Sequence, residues 1–272
     1  MSRPWNSLVT LCVGPLAVLG TLRSGWPSST VLARAIEVLE PATDDKTPPA
    51  EAQALAVDAV LERLAATAPL RGARLAVELA DARVHLDLVS GDFSAASDRQ
   101  LRVVADACVA ELMGDAAAGQ AIRWQLQPDL THLLICAVAQ LEVDALVELA
   151  DRQGLRLVSL QPEFGAQWNR HAHRLQAGSG VFSVTCGGFA TVACARGGTV
   201  TAISSGSWLE EPPLPGESAT APGGLDARVD RLLASVGEDS ANVGSFVLVA
   251  PDVSARRLAA RWTVVGRHSE AA

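Results

Sequence analysis

One stretch of this chain, VFSVTCGGFATVACARGGTVTAI at residues 181–203, carries its most pointed chemistry. Gly187 and Gly188 follow Thr185 and Cys186, and successive glycines can turn backbone N–H groups toward a phosphate. The same pair also suits the turn of a β-hairpin, where positive φ favours glycine. Cys186 and Cys194 lie in the same stretch, so a disulfide or a metal site stands as a third candidate beside two ordinary core thiols. An earlier segment, TLCVGPLAVLGTL at 10–22, repeats the plan: an apolar run, Gly14, then a second apolar run.

Few other residues offer chemistry. Lys46 is the only lysine, in the proline-rich segment PATDDKTPPAE. Neither a P-loop lysine nor a kinase-type strand lysine is therefore available, and a buried Schiff-base lysine is disfavoured. The cysteines, Cys12, Cys108, Cys136, Cys186 and Cys194, form no CxxC pair. Zinc ribbons and thioredoxin-like motifs need that spacing, so the thiols read as reduced apolar residues in a reducing compartment. His171 and His173 in NRHAHRL are two apart and point in different directions on a helix, which reads as a solvated face shared with Arg170 and Arg174. His85 and His132 have no close cluster of Cys, Asp or Glu at ligand spacing. Neither G-x-S-x-G nor H-E-x-x-H occurs.

The bulk numbers bound the rest. With 272 residues, 49% hydrophobic and 19% charged, the chain can build a sizeable core. Its net charge of −8 repels a phosphate backbone, which argues against a nucleic-acid partner. The opening MSRPWNSLVTLCVGPLAVLGTLRSG resembles a signal peptide in its early Arg3 and apolar run. Gly14-Pro15 interrupts it, so a β-hairpin is the better reading. The uncharged run Pro4 to Leu22 holds too many polar residues, glycines and prolines for a membrane span.

These residues need elements to position them. Alternation predicts strands over 7–13 and 16–23 and a third over 30–39, where VLARAIEVLE would also suit a helix. Helical spacing of Val57, Val60, Leu61 and Leu64 predicts a helix over 50–68. Residues 74–79 and 83–89 read as a hairpin about Ala80-Asp81-Ala82. Ser97 and Gln100 form a capping box opening a helix with Leu101, Val104, Ala105, Cys108 and Leu112 on one face. Strands follow at 121–127 and 133–139, a helix over 141–153 closed by Gly154, and a strand at 155–160. A helix then runs from Pro162 to about Gln176 with Phe164, Trp168, Ala172 and Leu175 as its stripe. Strands at 181–186, 191–195 and 199–204, a loop at 210–224, a helix at 225–236 and strands at 246–250 and 258–265 complete the chain.

Both halves thus open with three strands and a helix, TLCVGPLAVLGTL onward and FSVTCGGFATVACARGGTVTAI. A doubled β-β-β-α unit resembles the two-lobed actin-like (ribonuclease H-like) α/β fold. The intervening stretch IRWQLQPDLTHLLICAVAQLEVDALVELADRQGLRLVSLQPEF, residues 122–164, is similar to the pilus-assembly branch of that fold, the family of PilM and of the cytoplasmic part of the type II secretion L protein. The resemblance implies an N-terminal lobe over 1–178 with an inserted α+β subdomain at about 71–150, and a C-terminal lobe over 179–272.

It also implies a nucleotide cleft at the glycine turns, with Gly14, Thr185, Gly187 and Gly188 as its phosphate-facing residues. Active members carry an Asp in each phosphate hairpin, usually D-x-G, to hold Mg²⁺. Here the hairpins read Thr10-Leu11-Cys12-Val13-Gly14 and Thr185-Cys186-Gly187-Gly188, with no carboxylate. The glycine pair expected near an adenine is replaced by PDVSARRL after FVLVA. The expectation is therefore a non-catalytic scaffold of a pilus or secretion assembly, with no catalytic or metal-binding residue and no required cofactor. Its expected place is cytoplasmic, peripheral at the inner membrane, docked on protein partners such as a membrane-anchored assembly protein, with room for a homodimer. The alternative is an ATP-binding ATPase of the actin-like superfamily.

Overall fold

The computed structural model describes residues 7–24, 30–39, 50–175, 178–207, 224–238, 242–250 and 261–266. Along the chain run β1 (Leu8–Val13), β2 (Ala17–Ser24), β3 (Thr30–Val38), α1 (Ala50–Ala65), β4 (Arg74–Leu79) and β5 (Val84–Ser90). Next come α2 (Asp98–Met113), β6 (Gln120–Leu126), β7 (His132–Ala139), α3 (Gln140–Arg152), β8 (Arg156–Pro162) and α4 (Glu163–His171). The last elements are β9 (Ser179–Cys186), β10 (Phe189–Arg196), β11 (Thr199–Ser207), α5 (Gly224–Ser235), β12 (Ser245–Ala250) and β13 (Trp262–Gly266). They gather into two compact units, residues 1–80 with 139–163 and residues 81–138 with 164–272.

The first unit holds a five-stranded sheet in the order β3-β2-β1-β4-β8. β1 is antiparallel to β2 and parallel to β4, and β4 is parallel to β8. One face of α1, Val57, Val60, Leu61 and Leu64, is buried. It closes on β2 at Gly20, where an added Cβ would lie 2.4 Å from Val60 Cγ1. Glycine is there because helix and strand approach too closely for any side chain. Asp58 receives Gln153 at 3.2 Å and Arg152 at 3.5 Å, which sets α3 beside α1.

The second unit repeats the sheet, β11-β10-β9-β12-β13, with the same mix of antiparallel and parallel pairs. Alternation along β9 sends Val181 and Phe182 to opposite faces. Val181 joins Val192, Leu225, Val229, Leu233 and Phe246 in the core under α5. Phe182 joins Phe164 of α4, Leu86 of β5, Val247 and Val249 on the other face. Trp168 belongs to that second core, stacked on Phe164 at 6.0 Å and edge-on to Phe182 at 5.3 Å. A three-stranded sheet, β5-β7-β6, packs Leu133, Ile135 and Ala137 against Leu101, Ala105 and Val109 of α2. Ser97 and Gln100 cap α2 reciprocally, as their spacing predicts.

Several sequence expectations change. Residues 74–79 and 83–89 are not a hairpin: β4 lies between β1 and β8, and β5 pairs with β7. Ala80 N–H donates to the Val13 carbonyl, and Asp81–Arg83 make a 3₁₀ turn that carries the chain out of the sheet. The compact units part at residues 80, 138 and 163 rather than near 178, because β4 and β8 complete the first sheet, with α3 in the same unit, while 81–138 group with the second. Leu112 is exposed, and the buried stripe of α2 is Leu101, Ala105 and Val109. The expected solvated pair His171 and His173 divides, with His171 buried and His173 exposed. The loop expected at 210–224 lies outside the described residues except for Gly224, which opens α5.

Candidate functional site

The second glycine turn is built by strand pairing. Cys186 and Phe189 are paired across β9 and β10, leaving Gly187 and Gly188 as a two-residue loop with φ of 56° and 81°. Positive φ at both central positions is the type I′ geometry, which matches the twist of the flanking strands. The next turn, between Arg196 and Thr199, has the same form, with φ of 57° at Gly197 and 82° at Gly198. Backbone conformation therefore accounts for both glycine pairs. Thr185 is buried at the end of β9, whereas Gly187 is exposed. Arg196, the nearest cation along the hairpins, forms an ion pair with Glu238 at 2.5 Å.

Cys186 and Cys194 do not face one another. Cys194 is opposite Val181, five residues before Cys186 on β9. At about 3.3 Å per residue the thiols sit roughly 16 Å apart along the strand, beyond disulfide reach. None of the five cysteines is in a disulfide.

The first turn is wider. Gly14 N–H donates to the Ala17 carbonyl at 2.9 Å, and Val13 pairs with Val18 across the hairpin. Gly14 belongs to the first unit, and Thr185, Gly187 and Gly188 to the second, so each hairpin stands on its own elements. Beside the first lies a residue the sequence reading passed over. Glu78 of β4 stands directly across from Cys12, with Oε2 3.6 Å from the thiol Sγ and the side chain almost wholly buried. Gln161 of β8 is next in the same row. A lone glutamate in the apolar run RLAVEL was the available signal, since a charge there must be buried on one face of a central strand.

A second buried polar set includes two residues the sequence did not single out, Glu163 and Gln167. Glu163, Gln167 and His171 recur every four residues along α4, and all three are buried. Asp81, also buried, accepts the Phe164 N–H at 2.9 Å and so satisfies a donor in the first turn of that helix. Neither ring nitrogen of His171 has a hydrogen-bond partner. Burial, then the neighbouring Arg174, Arg170 and His173, holds its pKa below the ordinary value.

A nucleotide with Mg²⁺ requires hard oxygen ligands, mostly carboxylate and phosphate. The hairpin positions offer a thiol, a buried threonine hydroxyl and two glycines. Among the described residues no three His, Cys, Asp or Glu side chains are grouped to hold a metal ion. These residues do not fit the metal–triphosphate group of an ATPase cleft, and no hydrolytic step is derived from them.

No family model matches the chain, and no curated protein matches it. Solved structures do. A type IV pilus biogenesis complex of PilM and PilN superposes with a TM-score of 0.68 at 15% identity, over 96% of this chain and 88% of that one. The cytoplasmic domain of EpsL, an inner-membrane component of the Vibrio cholerae type II secretion system, gives 0.56 at 12% identity, over 96% and 90%. A Bacteroides thetaiotaomicron protein of unknown function with an actin-like ATPase fold gives 0.56 at 6% identity, over 93% and 84%. The chain has the actin-like fold that these structures share.

Proposed function

We propose that this protein is a non-catalytic scaffold of an envelope assembly of the pilus or secretion type, working at the cytoplasmic face of the inner membrane and docked on a membrane-anchored assembly protein. The observation that carries the reading is the absence of a carboxylate from both glycine hairpins, where Cys12 and Thr185 stand instead. Without a carboxylate-held metal, backbone N–H groups can hold a phosphate weakly but cannot balance a triphosphate or align water for in-line attack. The fold shared with a PilM–PilN complex and with an EpsL cytoplasmic domain supports the choice of assembly. Among the described residues no helix is long and apolar enough to cross a membrane, which is consistent with attachment through a partner.

Calorimetric titration with ATP, with and without Mg²⁺, tests the catalytic half. ATP affinity should be no better than millimolar, about −4 kcal/mol, and phosphate release no faster than in buffer. Fractionation of cells tests the other half: the protein should sediment with membranes and be released by an alkaline wash without detergent. The second reading, a nucleotide hydrolase with unconventional ligands, is favoured by one feature, the Glu78 carboxylate beside Cys12. Micromolar, Mg²⁺-dependent ATP binding abolished by Glu78→Gln would establish that reading and remove the first.

A further inference from the structure

α5 divides its charges between two neighbours. Both of its carboxylates, Asp226 and Asp230, go to Arg261 at the entry to β13. Arg261 donates Nε and Nη2 to Asp226 Oδ1 at 3.0 and 2.6 Å, and Nη1 to Asp230 Oδ1 at 3.2 Å. Trp262 Nε1 donates to the same Asp226 oxygen at 3.0 Å. The helix's own acids are thereby committed on the β13 side. Arg228 reaches the other way, to β11, and Arg231 stands one turn on from it. Among the described residues neither arginine has a carboxylate partner.

β11 is shaped to receive Arg228. Alternation puts Ala202, Ser204 and Gly206 on the face toward α5, paired with Cys194, Val192 and Ala190 of the core beneath that helix. The guanidinium lies over Gly206, where an added Cβ would meet Nη2 at 2.5 Å and Cζ at 3.1 Å. Nη1 donates to Ser204 Oγ at 3.2 Å and Nη2 to the Ser207 carbonyl at 3.1 Å. These bonds occupy two of the five N–H donors of a guanidinium and leave three. The Ser204 hydroxyl, accepting from Arg228, keeps its own hydrogen to donate. Burial, then the charge of Arg231, pushes the Arg228 pKa down, yet a guanidinium stays protonated. Arg228 is thus a partly buried cation with a like charge beside it, a situation that an anion relieves.

We infer that Arg228, Arg231 and the Ser204 hydroxyl form a binding site for a phosphate monoester group. The planar fork of Arg228, held flat by Ser204 and the Ser207 carbonyl, takes oxygens of a tetrahedral oxyanion side by side. Ser204 donates to the same group, and Arg231 supplies the second positive charge. Two cations one helical turn apart match the two charges of a phosphate monoester, where a carboxylate or a phosphodiester brings one. The site uses neither glycine of the β9–β10 turn and no metal. It stands apart from the docking role, so either can fail alone.

The test is a titration of the full chain, labelled with ¹⁵N, in which the arginine Nε–H resonances are followed at low salt and neutral pH. The probes are inorganic phosphate, acetate and dimethyl phosphate, the last carrying the diester chemistry of a lipid headgroup. Phosphate should bind with a Kd of about 1–10 mM, and acetate and dimethyl phosphate about tenfold more weakly or worse. R228Q should weaken phosphate binding about tenfold or more, and R231Q about threefold. R228K keeps the charge and loses the fork, so it should also weaken binding, and it serves where R228Q does not fold by far-UV circular dichroism. A parent chain with no saturable shift up to about 50 mM phosphate overturns the proposal. Phosphate binding that survives both R228Q and R228K also overturns it, because it removes the fork. Acetate or dimethyl phosphate bound as tightly as phosphate overturns it too, and leaves the two arginines to an acidic protein segment or to a lipid surface.

Discussion

Glu78 and Cys12 face each other across the parallel strands β1 and β4, the carboxylate Oε2 3.6 Å from the thiol Sγ. In the D-x-G pattern that the resemblance implies for active members the Asp falls at Cys12, and that residue already has a carboxylate against it, supplied by the neighbouring strand. Restoring an Asp there by Cys12→Asp would bury two carboxylates in contact. That variant should lose about 3 kcal/mol or more of stability. The double variant Cys12→Asp/Glu78→Gln should recover part of the loss, because one charge is removed. Urea denaturation of the two variants and the parent measures both effects. A Cys12→Asp protein as stable as the parent would mean that Glu78 is free to turn away.

The two I′ turns predict parallel behaviour. Gly187→Ala and Gly197→Ala should each destabilise by about 1–2 kcal/mol, the strain of a β-carbon in left-handed backbone. Gly187→Asn should lose much less, since asparagine tolerates that conformation. Neither alanine change should alter whatever weak affinity for ATP the protein has. A Gly187→Ala variant with unchanged stability but altered nucleotide binding would return the turn to the status of a phosphate loop.

The repeated half was legible because it rests on local pattern. Alternating apolar runs and paired glycines are short-range signals, and β1–β3 and β9–β11 appear close to where they predict. β4 was misread for the opposite reason. Ala80-Asp81-Ala82 has turn composition, and only pairing with β1, 66 residues distant at Cys12 and Glu78, makes RLAVEL a central strand. The α4 helix shows the same division. Phe164 and Trp168 announce themselves by spacing, while the burial of Glu163, Gln167 and His171 depends on packing that periodicity does not report. The row Cys12–Glu78–Gln161 required three strands in register and was beyond any single-strand reading.

Thiol chemistry offers a check on the core. Burial, then the charge of Asp81, pushes the Cys136 thiol up to about 12, and burial with Glu238 does the same for Cys194. An ordinary thiol is half ionised near pH 8.5, and the thiolate is the reactive form. At about that pH, alkylation of the native protein should leave Cys136 and Cys194 unmodified, and unfolding in urea should expose both. Intact mass of protein purified without reductant should show no intramolecular disulfide. A bridge between Cys186 and Cys194 would require β9 and β10 to pair in a different register.

His171 sets the direction of the pH dependence. It is fully buried, and neither ring nitrogen has a hydrogen-bond partner. Burial first, and the positive charges of Arg174, Arg170 and His173 after it, disfavour the imidazolium and lower the pKa in the folded protein. In the unfolded chain the same group titrates near its ordinary value of about 6.5. Below that pH the unfolded state binds the proton first, so unfolding is favoured progressively as the solution is acidified, until the folded pKa is also passed. The His171 contribution is therefore fully present above the unfolded pKa and declines below it. The midpoint of urea denaturation should fall as the pH drops below about 6.5. His171→Leu, similar in bulk and unable to take a proton, should flatten that part of the profile and should be the more stable protein at its acid end. A His171→Leu variant whose acid slope matches the parent would assign the sensitivity to the protein's carboxylates instead.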